Sequence, residues 1–189
     1  MLVVGLGNPG AEFEHTRHNV GADTVMLLAA RRGERFRTVR GSHARTADLR
    51  IDGRRVAVAF PLTYMNDSGL AVGALVRRYG IDDLSGLVVV HDELDLPVGR
   101  VKVKEGGGTA GHNGLKSIHS HLHDPGYVRV RIGIGKPPGR RMGADHVLRR
   151  PGSQEREVLE LAVVHAADAV EVIATLGVAE AMNRFNTDS

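Results

Sequence analysis

Leu87-Val88-Val89-Val90 is apolar without a break, and His91 and Asp92 follow it at once. A strand with one face in water alternates apolar and polar residues. An unbroken β-branched run therefore reads as a strand covered on both faces, as in a parallel sheet with helices on either side. Residues 2–6 repeat the pattern and end in the turn-forming Asn8-Pro9-Gly10. In sheets of this kind functional groups gather beyond the C-terminal ends of the strands, which is where His91 and Asp92 stand.

The remaining elements fit around these two strands. Val20, Val25, Met26, Leu28 and Ala29 recur at helical spacing and Gly33 follows as a stop. Ala47, Leu49 and Ile51 alternate with polar residues, and Asp52-Gly53 separates them from Val56, Val58 and Phe60, which is hairpin chemistry. Asn66, Asp67 and Ser68 offer N-caps to a helix carrying Leu70, Leu75, Val76 and Tyr79, with Gly80 at its end. Val101 and Val103 alternate with Arg100, Lys102 and Lys104, while Val128, Val130 and Ile132 alternate with Arg129 and Arg131, so each strand has an apolar and a basic face. Residues 135–143, rich in Pro, Gly and Arg, read as an exposed loop. Ser153 is expected to cap a long helix that buries Val158, Leu161, Ala162, Val170 and Ile173, with Gly177 dividing it from a short last helix. The expected fold is α/β: one three-layer α/β/α domain over residues 1–189 around a twisted, mixed, largely parallel sheet.

Composition removes several chemistries. With no cysteine among 189 residues, disulfides, thiolate catalysis and Cys-ligated zinc are excluded. Met1 runs directly into the first strand with no basic-then-apolar leader, and no apolar run reaches membrane length, so a cytoplasmic protein without a membrane partner is expected. The net charge of +3 hides a segregation. Between 100 and 141 the bases face only Glu105 and Asp124, whereas acids dominate from 154 onward. A basic middle suggests a polyanion against one face. On charge alone, clustered solvated faces would look the same.

Gly5, Gly7 and Gly10 match a dinucleotide-binding spacing, but residues 12–18 intervene where the helix should begin and no acid ends a second strand. His119, His121 and His123 suggest metal ligands, yet on a helix only His119 and His123 share a face, so solvated surface histidines are expected. Asp92, Glu93 and Asp95 could hold Mg²⁺ and make a metal-dependent hydrolase. Leu94, Leu96 and Pro97 argue instead for a turning loop with one carboxylate in the cleft. No serine sits in a Gly-x-Ser-x-Gly frame. His18 and Asp92 are left as an acid–base pair, with no metal or cofactor called for. Taken alone, a histidine between Arg17 and Asn19 reads equally as a cap or surface residue.

Five segments in order change that balance. They are Val4-Gly5-Leu6-Gly7-Asn8-Pro9-Gly10, Thr16-Arg17-His18-Asn19, Thr63-Tyr64-Met65-Asn66, His91-Asp92-Glu93-Leu94-Asp95, and the glycine-rich run ending in His112-Asn113-Gly114. Together with Arg129-Val130-Arg131-Ile132-Gly133-Ile134-Gly135 and the Asn183 region, they resemble bacterial peptidyl-tRNA hydrolases over nearly the whole chain. The resemblance implies a monomeric, metal-free esterase that cleaves the peptide from the acceptor end of peptidyl-tRNA. It implies His18 as general base, Asp92 as its partner, and Asn8, Asn66 and Asn113 as groups that position substrate and water. Phe13, Tyr64 and Met65, with Asn66 and Asn113, would contact the peptide, and Lys104, Arg131 and His112 would grip tRNA phosphate.

Three departures from the family pattern stand out. Phe13 replaces a usual Tyr, Phe60 precedes Pro61 where Lys is common, and Ala110 replaces a frequent Gly. A non-catalytic RNA-binding protein using the same basic strands is the competing reading.

Overall fold

A computed structural model describes residues 1–139 and 143–188; Arg140 and Arg141 of the basic stretch, and part of the expected 135–143 loop, lie outside the described residues. The strands are β1 (Leu2–Gly5), β2 (Arg37–Val39), β3 (Ala44–Ile51), β4 (Arg54–Pro61), β5 (Leu87–Glu93), β6 (Val101–Glu105) and β7 (Val128–Gly133). They form one sheet in the order β2-β3-β4-β1-β5-β7-β6. β4, β1, β5 and β7 run parallel, and the antiparallel pairs lie toward the edges. This is the mixed, largely parallel α/β sheet that the uninterrupted apolar runs require.

Alternation along each central strand feeds two cores. Val3, Val88, Val90, Val130 and Ile132 pack against α1 (Val20–Ala30) and α5 (Ser153–Leu176). Leu2, Val4, Leu87 and Val89 pack on the opposite face, in a core shared with α2 (Ser68–Arg78) and α3 (Asn113–Leu122). Short α4 (Gly143–Val147) and α6 (Val178–Phe185) complete the described helices. Among the described residues no helix is long and apolar enough to cross a membrane.

The β3–β4 turn is as expected, with Asp52 and Gly53 both at positive φ. In helix α5, Ala162, Val170 and Ile173 are buried as expected, but Val158 and Leu161 are not. Its buried seam is Leu159, Ala162, Ala166, Val170 and Ile173. A run of alanines lets the helix approach the sheet closely, so small residues, not the larger Val158 and Leu161, mark the buried stripe. Ser153 begins this helix but makes no side-chain cap, and Gly152 occupies the N-cap position.

Two glycines set how closely α1 approaches the strands. A Cβ on Gly5 would lie 2.1 Å from the Gly21 carbonyl oxygen, and one on Gly21 would lie 2.2 Å from the Val90 carbonyl oxygen. Hydrogen atoms alone allow the helix start, and the turn before it, to sit on β1 and β5. Gly21→Ala is therefore expected to destabilise the protein by about 1–3 kcal/mol, the usual cost of overpacking a rigid site. An unchanged melting temperature would show that the backbone yields freely there.

Candidate active site

The turn over Arg17–Asn19 precedes α1 and is held on both sides. Arg17 is buried and grips Glu155 of α5 bidentately, Nε to Oε1 at 2.7 Å and Nη2 to Oε2 at 2.9 Å. A further bond from its Nη1 to the His146 carbonyl ties in α4. That pairing, led by the hydrogen bond, holds the Glu155 carboxyl below its usual range. On the other side Asn19 clamps Asn8: its Oδ1 accepts from the Asn8 backbone N–H and its Nδ2 donates to the Asn8 carbonyl, both at 2.9 Å. His18 lies between these clamps.

Asp92 stands at the end of β5, on the same face of the sheet as α1. Its side chain is 2% exposed, and each oxygen meets a different histidine. His18 Nδ1 lies 2.7 Å from Oδ2, and His112 Nε2 lies 2.8 Å from Oδ1. An ionised carboxylate only accepts, so both ring nitrogens carry protons and donate. Burial alone would raise the Asp92 pKa; the two histidines overcome it and hold the carboxyl far below its ordinary range. Burial also works to lower the His18 pKa, but the Asp92 charge and hydrogen bond outweigh it, and the net shift is upward. In the neutral ring Nε2 is then a lone pair, with no protein partner among the described residues.

His112 is pinned from its other side. It is the N-cap of α3, and its Nδ1 accepts from the backbone N–H groups of Gly114 (3.1 Å) and Leu115 (3.3 Å). Acceptance there keeps the proton on Nε2, aimed at Asp92. This bears on the one potential metal-ligand group among the described residues, His18, Asp92 and His112, whose ligand atoms lie within 4.8 Å of one another. Ligation through His112 Nε2 would put a proton on Nδ1, facing two N–H donors. The donor set fits a hydrogen-bonded chain better than a metal.

A cleft of about 230 Å³ opens here, lined among others by His18, Asp92, Glu93, His112 and Asn113. Two carboxylates line it, not the one expected. Glu93 is directed to Arg131 at 3.6 Å, and Asp95 pairs at 3.2 Å with Lys136 outside it. Asn8 Oδ1 accepts from the Met65 backbone N–H at 2.7 Å, so its amide NH₂ is the end left to donate. That bond joins Asn8 to the Tyr64–Met65–Asn66 turn, where Met65 is buried and Asn66 exposed. Tyr64 meets Phe13 edge-on, with ring centroids 6.2 Å apart.

Lys104 and Arg131 share a face of the β6–β7 pair, Lys104 opposite Arg129 and Lys102 opposite Arg131. His112 turns away from them to Asp92. Arg129 is buried and donates through its two terminal nitrogens to the carbonyls of Gly107 and Gly108 and to His119 Nε2, while its Nε has no partner among the described residues. His119 is thus an acceptor packed on Tyr127, while His121 and His123 are exposed as expected. Sequence reasoning missed Arg17 and Asn19 as clamps and Arg129 as the brace of the glycine-rich loop. The first two lay inside a quoted motif, where their position beside His18 was the available signal.

Comparison with known proteins is consistent over the full length. The family model described as peptidyl-tRNA hydrolase matches residues 2–189. The peptidyl-tRNA hydrolase of Nocardia farcinica is 50% identical over 185 residues, covering 98% of this chain and 95% of that protein. That of Rhodococcus erythropolis is 49% identical, covering 98% and 97%. The crystal structure of peptidyl-tRNA hydrolase from Acinetobacter baumannii superposes with a TM-score of 0.92 at 38% identity, over 98% of this chain and 94% of that one.

His18 and His91 should titrate apart. Burial, with His112 and Arg129 nearby, brings the His91 pKa down to about 3. In an NMR titration His91 should stay neutral down to about pH 4, a pH at which an ordinary histidine of pKa about 6.5 is protonated. His18 should titrate above the ordinary histidine value and fall below it in Asp92→Asn, where burial is left unopposed. A His18 midpoint that ignores Asp92→Asn would contradict the pairing.

Proposed function

The chain belongs to the peptidyl-tRNA hydrolase family, and from that premise we propose a mechanism in which His18 is the general base of ester hydrolysis. The reaction is hydrolysis of peptidyl-tRNA, a carboxylic ester, into peptide and free tRNA. What the chemistry requires is an activated water and donors for the oxyanion that develops on the carbonyl.

The observation that carries the residue assignment is the Asp92 bridge, with His18 at 2.7 Å and its far nitrogen without a partner among the described residues. Water at His18 Nε2 gives up a proton as its oxygen attacks the ester carbonyl carbon. The imidazolium that forms is stabilised by Asp92, which remains ionised. When the tetrahedral intermediate collapses, the carbon–oxygen bond to the ribose breaks and the Nε2 proton passes to the departing ribose oxygen. Asn8, whose amide is oriented by Met65, together with Asn66 and Asn113, supplies donors for the carbonyl and for substrate or water.

Selectivity for a blocked amino group follows from hydrogen bonding. A peptidyl chain offers a carbonyl acceptor close to the ester, which a free aminoacyl group lacks, so a site built to donate there penalises the unblocked substrate. Phe13, Tyr64 and Met65 give an apolar, side-chain-tolerant contact for the peptide. Phe13 cannot supply the hydroxyl hydrogen bond of the usual tyrosine. Lys104 and Arg131 contact phosphate at the acceptor end without reading sequence. His112 touches Asp92 in this arrangement, so its first role is to hold that carboxylate. The same reading has the enzyme act as a monomer in the cytoplasm, with which the cysteine-free composition agrees.

His18→Ala should lower kcat by about 10²- to 10⁴-fold while tRNA affinity persists, the usual loss for a positioned base. Full activity in that variant would reject the base. The kcat/KM of the wild-type enzyme should fall as pH drops through the raised His18 pKa, since only the neutral ring accepts a proton. In Asp92→Asn that limb should move to lower pH at a much reduced plateau. Side-by-side incubation with blocked and unblocked aminoacyl-tRNA should release only the blocked acyl group; equal release would remove the proposed role of the asparagines.

A further inference from the structure

Arg100, just before β6, and Lys102 and Lys104 on it alternate with Val101 and Val103, whose side chains enter the α5 core. The cations therefore share the opposite face, with Arg129 and Arg131 opposite them on β7. Arg131 has Glu93, and Arg129 is buried under the glycine-rich loop. Arg100 and Lys102 are met by a carboxylate from far along the chain. Asp188 Oδ1 lies 2.7 Å from Arg100 Nη2 and 3.3 Å from Lys102 Nζ. Arg100 Nη2 also donates to the Thr187 carbonyl.

The segment after α6 reaches this place by polar contacts. Asn186 imitates a neighbouring strand: its Oδ1 accepts from the Val103 N–H and its Nδ2 donates to the Val103 carbonyl, both at 2.8 Å. These bonds use the backbone of β6 and leave its cations untouched. Beside Asp188 a cavity of about 440 Å³ opens between Pro97, Val98 and the two cations. One anionic oxygen held by a guanidinium and an ammonium is the contact that an RNA phosphate oxygen makes.

We propose that Arg100 and Lys102 form a further phosphate subsite for the substrate's RNA, and that Asp188 stands in for that phosphate in the free protein. The inference rests on the reading of Lys104 and Arg131 as phosphate contacts and extends their surface along β6. Asp188 is a replaceable occupant because its side chain is 89% exposed, so its ion pairs are screened and weak. A polyanion displaces it with the added gain of counterion release. Asn186 need not move for this to happen.

The test is tRNA binding and turnover across a salt series. Lys102→Gln and Arg100→Gln should each weaken binding of deacylated tRNA, raise KM several-fold and leave kcat unchanged. Each should also flatten the plot of log affinity against log salt by about one unit, as loss of one phosphate contact does. Asp188→Asn should act in the opposite direction, tightening binding about 2- to 3-fold at low salt, with the gain fading as salt screens it. Glu34→Gln, an equal change of net charge on an exposed residue elsewhere, should do less. If Lys104→Gln weakens binding while Lys102→Gln and Arg100→Gln retain wild-type affinity and slope, the subsite is refuted and the parent reading stands. If Lys104→Gln is also silent, the parent reading falls and takes this inference with it. Equal gains in Asp188→Asn and Glu34→Gln, or none in Asp188→Asn, would show that Asp188 does not occupy the RNA's place. Melting curves of the variants separate lost contacts from lost folding.

Discussion

A carboxylate sealed from water must be met by donors on both oxygens, and most of the site's geometry follows from how Asp92 meets that demand. One oxygen is met by His18 and the other by His112. Two different devices deliver those donors. His18 arrives on a turn clamped by Arg17 and Asn19, while His112 is locked by two backbone N–H groups at the start of α3. The helix thus fixes a tautomer two bonds away from the chemistry. Asp92 stays ionised, His18 is aimed, and the nitrogen left over is the one a water can use.

The sheet order makes this convergence possible. β1 and β5 are parallel neighbours, so the turn after β1 and the carboxylate at the end of β5 come out on the same side of the molecule. Gly5 and Gly21 then let the start of α1 press onto both strands. Arg17 reaches across to α5, a helix more than a hundred residues later, and converts a local turn into a tertiary anchor. The chain therefore cannot complete its site until its last long helix is in place.

What could be read before folding, and what could not, divides along the range of the interactions. Strand and helix periods depend on neighbours in sequence, so the central strands, the hairpin at Asp52-Gly53 and helices α1 and α2 were legible. The pairing of His18 with Asp92 was legible only through the ordered likeness of several motifs, since either residue alone has an ordinary explanation. His112 was assigned to phosphate through the family resemblance alone, and its hydrogen bond to Asp92, set by the cap of α3, was not legible in the sequence. Arg129 and His119 looked like surface groups because alternation predicts a face but not whether a loop will cover it. Strand β2 was missed because its residues Arg37, Thr38 and Val39 form a short edge with little apolar pattern.

Strand β5 also explains how the proposed chemistry and the proposed RNA contact can lie side by side. Successive residues point to opposite faces, so Asp92 enters the α1 side while Glu93 enters the side shared with β6 and β7. Asp92 organises the two histidines; Glu93, which the register sets beside Gly133, reaches diagonally to Arg131 at 3.6 Å and moderates the charge of the basic surface. A slip of one residue would exchange these roles, turning the histidines' acceptor toward Arg131 and the counter-ion of Arg131 toward the histidines. The buried run of Leu87 to Val90 prevents that slip, since its side chains are divided between two separate cores. The apolar strand is thus what keeps the proposed base and the proposed phosphate contacts in their separate places.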